Sequence, residues 1–486
     1  MLRILRIAVA VLFMAMATLL FLDFTGTVHT WFGWVAKVQF LPAALALNFI
    51  VVGILLVLTF IFGRLYCSVI CPLGIYQDVV SRLNKKRKVV YKKACSKVRY
   101  GIFALFVISI LAGFASIVTI LEPYSAFGRM VSTLLQPIYK LGNNALDFFA
   151  ERMNSYAFYP TDIALGSLAV FIVSIVTFVV VSRLAWSKGR SYCNSVCPVG
   201  TLLSFVSRFS LLKIRIDQEK CNGCTLCTRK CKSACIETST REIDYSRCVV
   251  CFDCIDSCRQ GAISFGLRTK TKKEIELDSS KRNMLAVTAA LLATQAVKAE
   301  EKLVDGGLAV IEDKKVPKRN HAVLPAGSFS ARRFSKHCTG CQLCVSVCEN
   351  NVLRASTSLM KFMQPEMSFE LGYCRPECTK CSEVCPAGAI EKIDVAEKSS
   401  TQIGRAIYIE KNCVVLTKDV NCGNCATHCP TGAIKMIKPK DEKYNGRKIP
   451  MIDTTKCIGC GACEYLCPAR PFAAIFVEGY ATHRTI

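Results

Sequence analysis

Four long apolar runs dominate the first 200 residues of the chain. They cover residues 4–22, 41–63, 101–121 and 163–181, and between them they contain a single charged side chain, Arg6. A helix needs roughly 20 apolar residues to cross the hydrocarbon core of a membrane. The pattern therefore predicts a bundle of four membrane-spanning helices within residues 1–200.

The segments between these runs differ in charge, and the difference predicts their orientation. Residues 64–100 contain ten Lys or Arg, whereas residues 122–162 contain three Lys or Arg against four Asp or Glu. Positively charged loops stay on the cytoplasmic side of a membrane. We therefore expect residues 64–100, the N-terminus and residues 201–282 to be cytoplasmic, and residues 122–162 to lie outside.

The chain changes character after residue 200. Residues 201–267 form a cysteine-rich module, and residues 268–335 contain a basic stretch, a fifth apolar run at 284–297 and a polar linker. Residues 336–486 hold sixteen of the 30 cysteines and no apolar run of spanning length. The predicted fold class is an α-helical membrane bundle of four or five spans with two α+β ferredoxin-like modules.

Two cysteine ladders in the first module predict iron–sulfur clusters. Both follow C-x2-C-x2-C-x3-C, in which three close thiolates bind one cluster and the fourth cysteine binds the other. Cys258 should therefore complete the first [4Fe–4S] set and Cys231 the second. Structural zinc sites use two separated pairs of ligands instead. The ladder cysteines are Cys221, Cys224, Cys227, Cys231, Cys248, Cys251, Cys254 and Cys258.

The second module holds four further sets of four cysteines. The outer two keep the plain spacing, and the inner two are stretched before their second cysteine. These sixteen residues predict four more [4Fe–4S] clusters, six in total, and we expect the outer sets to exchange ligands with each other and the inner sets likewise. The sets are Cys338, Cys341, Cys344 and Cys348; Cys374, Cys378, Cys381 and Cys385; Cys413, Cys422, Cys425 and Cys429; and Cys457, Cys460, Cys463 and Cys467.

A different dithiol occurs twice in the helical part. GRLYCSVICPLG at 63–74 returns as GRSYCNSVCPVG at 189–200, which indicates an internal duplication. A proline after a cysteine suits the start of a helix, where a thiolate is stabilised. We interpret Cys67, Cys71, Cys193 and Cys197 as a candidate site of electron entry or a further metal centre. The alternative is a repeated structural corner. Cys95 and Cys235 are left as buried thiols.

Other redox groups and nucleic acid find no support in the sequence. There is no C-x-x-C-H for haem c, no histidine in the apolar runs for a transmembrane haem b, and no glycine-rich nucleotide motif. The formal charge of +26 is offset in part by the clusters, each of roughly −2 with its four thiolates. The basic charge is therefore no sign of nucleic-acid binding.

These motifs resemble two known families. Residues 1–265 are similar to the NapH-type membrane ferredoxins, with their C-x3-C-P motifs and two ladders, and residues 280–486 resemble the NapG-type four-cluster ferredoxins. The resemblance implies a quinol dehydrogenase component that passes electrons from the quinol pool to a periplasmic reductase, such as nitrate reductase, or to a cytochrome. It also implies export of residues 300–486 to the periplasm behind a twin-arginine-like signal. Here that signal is degenerate, because Lys281-Arg282 stands where the family has two arginines.

Two other functions remain open at this point. Membrane ferredoxins that assist cytochrome oxidase assembly also resemble the first half, so a role in metal-centre maturation is one alternative. A protein whose modules all face the cytoplasm is the other. No motif identifies the residues that bind quinol. The acids and histidine near the predicted membrane faces are Asp23, His29, Asp78, Glu122 and Asp162.

Overall fold

The computed structural model describes most of the chain. The described residues are 1–84, 89–91, 94–155, 157–161, 163, 167–267, 303–304, 309–310, 313–439, 444 and 446–486. The fifth apolar run at 284–297 and the signal-like motif before it lie outside the described residues, as does Asp162. The predictions made for those residues therefore stay predictions.

The N-terminal part is entirely helical within the described residues. Its α-helices are α1 (Leu2–Leu22), α2 (Thr27–Phe32), α3 (Trp34–Lys37), α4 (Phe40–Leu45), α5 (Phe49–Phe62), α6 (Tyr66–Val69), α7 (Pro72–Leu83), α8 (Ser96–Ala112), α9 (Ala115–Leu121), α10 (Pro123–Met130), α11 (Gln136–Arg152), α12 (Leu168–Lys188), α13 (Ser191–Ser195) and α14 (Pro198–Ser207). A π-helical turn, Val131–Leu135, joins α10 to α11.

Two of the four apolar runs form helices that are long and apolar enough to cross a membrane. These are α1 and α12, each of 21 residues. The second run is divided between α4, which ends at Leu45, and α5, for which the Asn48 side chain accepts a hydrogen bond from the Val51 N–H as the N-cap. The third is divided between α8 and α9 at Gly113, whose φ of 78° closes α8.

The first cysteine-rich module is small and has its own core. Its longest strands pair antiparallel, with Leu212 opposite Leu267 and Ile216 opposite Ile263. Ile214, Ile236 and Ile263 are buried between the cysteine loops. The elements are β1 (Leu212–Ile216), α15 (Leu226–Lys230), β2 (Ile236–Glu237), β3 (Glu242–Ile243), α16 (Asp253–Ser257) and β4 (Ile263–Leu267).

The C-terminal module consists of two consecutive units. Between the modules, β5 (Leu303–Val304) pairs with β6 (Ala309–Val310). The first unit contains α17 (Ala331–His337), α18 (Leu343–Ser346), β7 (Leu353–Ala355), β8 (Pro365–Met367), α19 (Lys380–Val384) and α20 (Val395–Ser400). The second contains β9 (Thr401–Tyr408), a 3-10 turn (Glu410–Asn412), α21 (Val414–Thr417), α22 (Asn424–Thr427), β10 (Ile434–Ile437), β11 (Ile449–Ile452), α23 (Ala462–Tyr465) and β12 (Ile475–Thr485).

The hydrophobic cores show how these parts are joined. One continuous core runs from Phe21, Leu73 and Tyr124 of the helical part into Leu343 and Phe369 of the first C-terminal unit. The second unit has a core of its own, although Ile403 and Val477 of its strands belong to the first core. The first C-terminal unit is therefore packed directly onto the helices.

The two cysteine-rich modules contact opposite ends of α1. Arg3, at its start, forms a 2.9 Å ion pair with Asp253 of the first module. Beyond its other end, the Thr25 carbonyl accepts a 2.9 Å hydrogen bond from Lys380 Nζ of the C-terminal module. A helix of 21 residues is about 30 Å long. The length of α1 therefore separates the two contacts.

Candidate metal centres

The ladder cysteines of the first module lie in two loops that precede short helices. Cys231, Cys248, Cys251 and Cys254 line one cavity, which is the set expected from ligand exchange. In the other loop, Cys227 lies within electrostatic reach of Cys221 and Cys224. Cys258 follows α16 directly. The residues present therefore fit two clusters, each of which would accept or donate one electron when bound.

Cys235 lies closer to the second set than the sequence indicates. It is 2% exposed, its Sγ is 3.5 Å from Cys231 Sγ, and it lines the same cavity. It is buried, as expected, whereas Cys95 is exposed, so the prediction of burial is wrong for Cys95.

The first C-terminal unit brings together two sets of cysteines. Cys385 completes a cavity with three cysteines of the preceding ladder, and Cys348 completes a second cavity with three cysteines of the stretched set. The first cavity is lined by Cys338, Cys341, Cys344 and Cys385, and the second by Cys348, Cys374, Cys378 and Cys381.

The second unit repeats this arrangement. Cys429, Cys457, Cys460 and Cys463 line one cavity. The remaining set is assembled around Cys425, which lies within electrostatic reach of Cys413, Cys422 and Cys467. The two units meet where the Cys374 N–H donates a 2.9 Å hydrogen bond to the Cys460 carbonyl.

The expected nesting of outer with outer sets is therefore wrong. Cysteines of consecutive sets lie together instead, as those of the second ladder of the first module do with Cys231. The physical reason is that each consecutive pair shares one hydrophobic core, and closing the loop from 338 to 385 costs less chain entropy than closing it from 338 to 467.

The duplicated dithiols converge inside the helical part. The side chains of Cys67, Cys71, Cys193 and Cys197 are each 4% exposed. Cys197 lies within electrostatic reach of the other three, and Cys193 within reach of Cys67. We call these four residues the four-cysteine site. Two halves that are 126 positions apart in sequence thus form one site.

The glycines, the second cysteines and the prolines of the repeated motif have the same structural roles in both copies. Gly63 and Gly189 end the preceding helices, with φ of 79° and 64°. Cys71 and Cys197 are N-cap residues, each followed by proline at the first helical position. A Cβ on Gly74 would lie 2.3 Å from the Cys67 carbonyl oxygen, and the corresponding distance at Gly200 is 2.4 Å to that of Cys193.

The motif arginines connect the two halves crosswise. Arg64 of the first half donates to the side-chain oxygen of Asn194 and, at 3.1 Å, to the Gly200 carbonyl. Arg190 of the second half donates to the Cys67 carbonyl. Both guanidinium groups are fully buried. Sequence reasoning missed these arginines, although the repeated Gly-Arg of both motif copies was the signal.

Asp78 forms the centre of a buried charge network beside this site. Its carboxylate pairs with Arg6, with Arg190 Nε at 2.7 Å and with Lys232 Nζ at 3.2 Å. Burial by itself would raise the pKa of Asp78, but Arg190, Lys232 and Arg6 together hold it far below its usual range. The network joins α1, α7 and the first cysteine-rich module.

The other acids named from the sequence differ in their surroundings. Asp23 pairs with His29 at 3.1 Å and caps the turn after α1. Glu122 is 1% exposed, caps α10, and lies within electrostatic reach of Cys71 and of Cys341. Burial raises the pKa of Glu122. Glu122 is thus an acid between the four-cysteine site and the nearest ladder.

Two iron–sulfur families match the chain. The 4Fe-4S binding domain Fer4_5 matches residues 45–89 and 164–217, which contain the two dithiols. The 4Fe-4S dicluster domain Fer4_7 matches residues 337–389 and 418–470, which are the two C-terminal units.

Curated relatives agree with these matches. The uncharacterized protein MJ0749 of Methanocaldococcus jannaschii is 30% identical over 228 residues, 46% of this chain and 72% of that protein. The methylamine utilization ferredoxin-type protein MauM of Methylobacillus flagellatus is 28% identical over 169 residues, 33% of this chain and 70% of MauM. The ferredoxin-type protein NapH of Haemophilus influenzae is 25% identical over 234 residues, 46% of this chain and 69% of NapH.

The site and these matches define an iron–sulfur protein of the ferredoxin type with 4Fe-4S domains. Within that class, the chain belongs to the family that includes MJ0749. The resemblance to NapH-type proteins drawn from the C-x3-C-P motifs and ladders is confirmed.

Proposed function

We propose that this protein is a membrane-bound quinol dehydrogenase component that passes electrons through six [4Fe–4S] clusters to a redox partner on the other side of the membrane. One quinol is oxidised to quinone and releases two electrons and two protons. Each electron reduces one cluster at a time, and the protons leave to water. The 24 ladder cysteines would bind the clusters.

The observation that carries this proposal is the position of the two cysteine-rich modules at opposite ends of α1. Helices α8 and α9 also contact the two modules at opposite ends. At the start of α8, Arg99 donates a 3.3 Å hydrogen bond to the Ser246 carbonyl of the first module, and beyond its end Ser116 donates to the Leu359 carbonyl of the C-terminal module. Electrons that pass between these modules would therefore travel along the bundle.

The four-cysteine site lies between the modules and supports the same route. On one side, Arg64 donates to the Arg247 carbonyl, next to Cys248. On the other, Tyr192 donates a 3.2 Å hydrogen bond to the Leu121 carbonyl beside Glu122. Beyond Glu122, a Cβ on Gly128 would lie 2.4 Å from the Cys341 carbonyl oxygen. The backbone around the first C-terminal ladder thus touches the bundle.

A cavity of about 380 Å³ is the candidate quinol site. Val89, Val90 and Val98 supply apolar walls, and Ser195 and Arg247 are among its polar residues. Such a mixture of apolar walls and a few polar groups is typical of small-molecule sites. Ser195 lies within the second dithiol motif and Arg247 precedes Cys248, so a quinol bound here would be next to both candidate acceptors.

Val98→Trp tests the quinol site. The larger side chain should fill the cavity and slow quinol-driven reduction of the clusters by about tenfold or more, which corresponds to about 1.4 kcal/mol. Dithionite-driven reduction should be unchanged. Val107→Trp on the same helix is the matched control, because Val107 is exposed and does not line the cavity. Equal quinol rates in both variants would remove this cavity from the proposal.

The sidedness of the C-terminus tests the route across the membrane. A protease-cleavable tag after Ile486 should be digested in intact spheroplasts, while a tag at the N-terminus should be protected. This result would place residues 300–486 in the periplasm and residues 201–282 in the cytoplasm, as proposed, with a periplasmic reductase or cytochrome as partner. Protection of both tags would instead make the protein a cytoplasmic electron bridge.

A further inference from the structure

We propose that Cys67, Cys71, Cys193 and Cys197 together bind a seventh centre, an iron–sulfur cluster shared by the two halves of the bundle. Each motif copy supplies only two thiols, and a cluster of the ferredoxin type needs four. A seventh centre would extend the proposed electron-transfer function to these four cysteines. Whether they bind a cluster does not depend on which donor reduces it.

The four-cysteine site and the ladder sets are alike in one respect. Within the described residues, no group of three or more such side chains is close enough to hold one metal ion. The C-terminal ladder sets, which apart from Cys413 lie within the matches to a 4Fe-4S dicluster family, share this property with the four-cysteine site. A zinc ion requires four ligands within about 2.3 Å of one point, whereas the thiolates of a cluster surround a larger core.

Two hydrogen bonds to sulfur also indicate a metal-binding role. Gln77 Nε2 donates to Cys193 Sγ at 3.2 Å, and the Gly200 N–H donates to Cys197 Sγ at 3.3 Å. Gln77 is fully buried, so its amide finds its hydrogen-bond partners within the protein. Donors of this kind orient metal-binding thiolates and tune the metal they hold.

The charge of Arg64 supplies an independent argument. Its fully buried guanidinium donates to oxygens of Asn194, Gly200 and Arg247, and no carboxylate pairs with it among the described residues. A buried cation without an anion is costly. Arg64 lies within electrostatic reach of Cys193 and of Cys248. An anionic cluster at the four-cysteine site would add to the negative charge that the cluster held by Cys248 brings to Arg64.

A purely structural corner would not require the thiols. The close approach at Gly74 and Gly200 and the prolines at the helix starts form the corner through the backbone. No disulfide joins the four cysteines. Of the four thiols, Cys197 caps its helix through sulfur, and a helix cap alone does not explain why four buried thiols are brought together.

Iron analysis of the full chain tests the proposal. The protein is purified anaerobically in detergent, and iron and acid-labile sulfide are counted per chain in Cys67→Ser/Cys193→Ser and in Cys95→Ser. The double variant should lose about four irons and about four sulfides relative to the control. An unchanged iron count, or a single zinc ion lost instead of iron, would overturn it. Quinol-driven reduction of the ladder clusters is compared between the double variant and the unsubstituted protein, because Cys95 lines the candidate quinol cavity, and the two proposals can then fail separately.

A second variant covers the case in which the double variant does not fold. Gln77→Leu removes the donor to Cys193 and keeps all the thiols. The iron count should stay unchanged, while the midpoint potential of one cluster signal in an EPR titration should fall, because a donor that stabilises the reduced, more negative cluster is lost. Gln218→Leu, at an exposed position, is the control. Potentials that are identical in both variants would count against a centre at this site.

Discussion

At the scale of single residues, Asp78 has the most distinctive surroundings. Three cations converge on one buried carboxylate, and one of them, Lys232, also pairs with Asp253 at 3.0 Å. The sequence offered Asp78 only as an acid near a dithiol. Its partners could not be predicted, because Arg6 and Lys232 come from segments that only the folded chain brings together.

Removing the charge of Asp78 should destabilise the protein. Asp78→Asn leaves Arg6 and Arg190 without their anion and Lys232 with Asp253 alone, and removing one partner of a buried ion pair typically costs about 3–5 kcal/mol. We expect a lower temperature of cluster loss, measured by absorbance on heating the detergent-solubilised protein. Asp217→Asn is the control, because Asp217 is 43% exposed and its 3.5 Å pair with Lys220 is worth about 1 kcal/mol or less. Equal transition temperatures would contradict a structural role for the network.

The network should also be insensitive to pH near neutrality. A carboxyl group whose pKa is lowered on folding adds stability above its unfolded pKa of about 3.9, and this stability is lost only as the pH falls below that value. The difference in stability between the native protein and Asp78→Asn should therefore stay constant between about pH 5 and pH 8. A difference that shrinks within this range would show that the pKa of Asp78 is not lowered.

At the scale of secondary-structure elements, the plain and stretched cysteine sets differ in backbone conformation. In the plain ladders, the residue after the second cysteine is left-handed, as at Phe252 with φ 64° and Gln342 with φ 72°. In the stretched sets, Thr379 and Gly423 have φ of −109° and −141°. Spacing predicted which cysteines belong to each set. It did not predict the exchange between consecutive sets, because that depends on which strands and helices share a core.

Paired substitutions should distinguish consecutive from nested exchange. Cys338→Ser/Cys385→Ser should remove one cluster, about four irons per chain, because both residues line one cavity. Cys338→Ser/Cys467→Ser should remove two clusters, about eight irons. If the outer sets exchanged ligands with each other, Cys338→Ser/Cys467→Ser would remove one cluster and Cys338→Ser/Cys385→Ser would remove two. Iron analysis of both variants, prepared in parallel, provides the comparison.

At the scale of the whole molecule, the first C-terminal unit is packed against the helices through a shared hydrophobic core and through helix side chains that donate to its backbone carbonyls. Ser125 donates a 2.7 Å hydrogen bond to the Thr339 carbonyl, and Gln136 donates one of 3.2 Å to the Ser346 carbonyl. The apolar runs predicted a bundle but not this contact, since nothing in a hydropathy pattern indicates which soluble module covers which end. Two of the four runs also proved to be interrupted helices.

Gly128→Ala should loosen this contact. The added Cβ would lie 2.4 Å from the Cys341 carbonyl oxygen and 2.6 Å from the Phe21 ring, and such overpacking costs about 1–3 kcal/mol. We expect slower electron transfer into the C-terminal clusters, while reduction of the first module is unchanged. Gly142→Ala is the control, because a Cβ there meets nothing within 4 Å. Stopped-flow spectroscopy after quinol addition measures the reduction of the first module and of the C-terminal clusters. Identical rates for the two variants would show that this contact does not control electron transfer into the C-terminal clusters.

The crosswise contacts of Arg64 and Arg190 have a consequence for the origin of the bundle. A single ancestral copy could have made them only with a second copy of itself, as a symmetric homodimer with the thiols on its two-fold axis. Fusion into one chain freed the copies to diverge. Gln77 and Asp78 of the first copy correspond to Leu203 and Ser204 of the second, 126 positions on. The donor to sulfur and the buried acid are thus present in one copy only, so the two halves of the site are no longer equivalent.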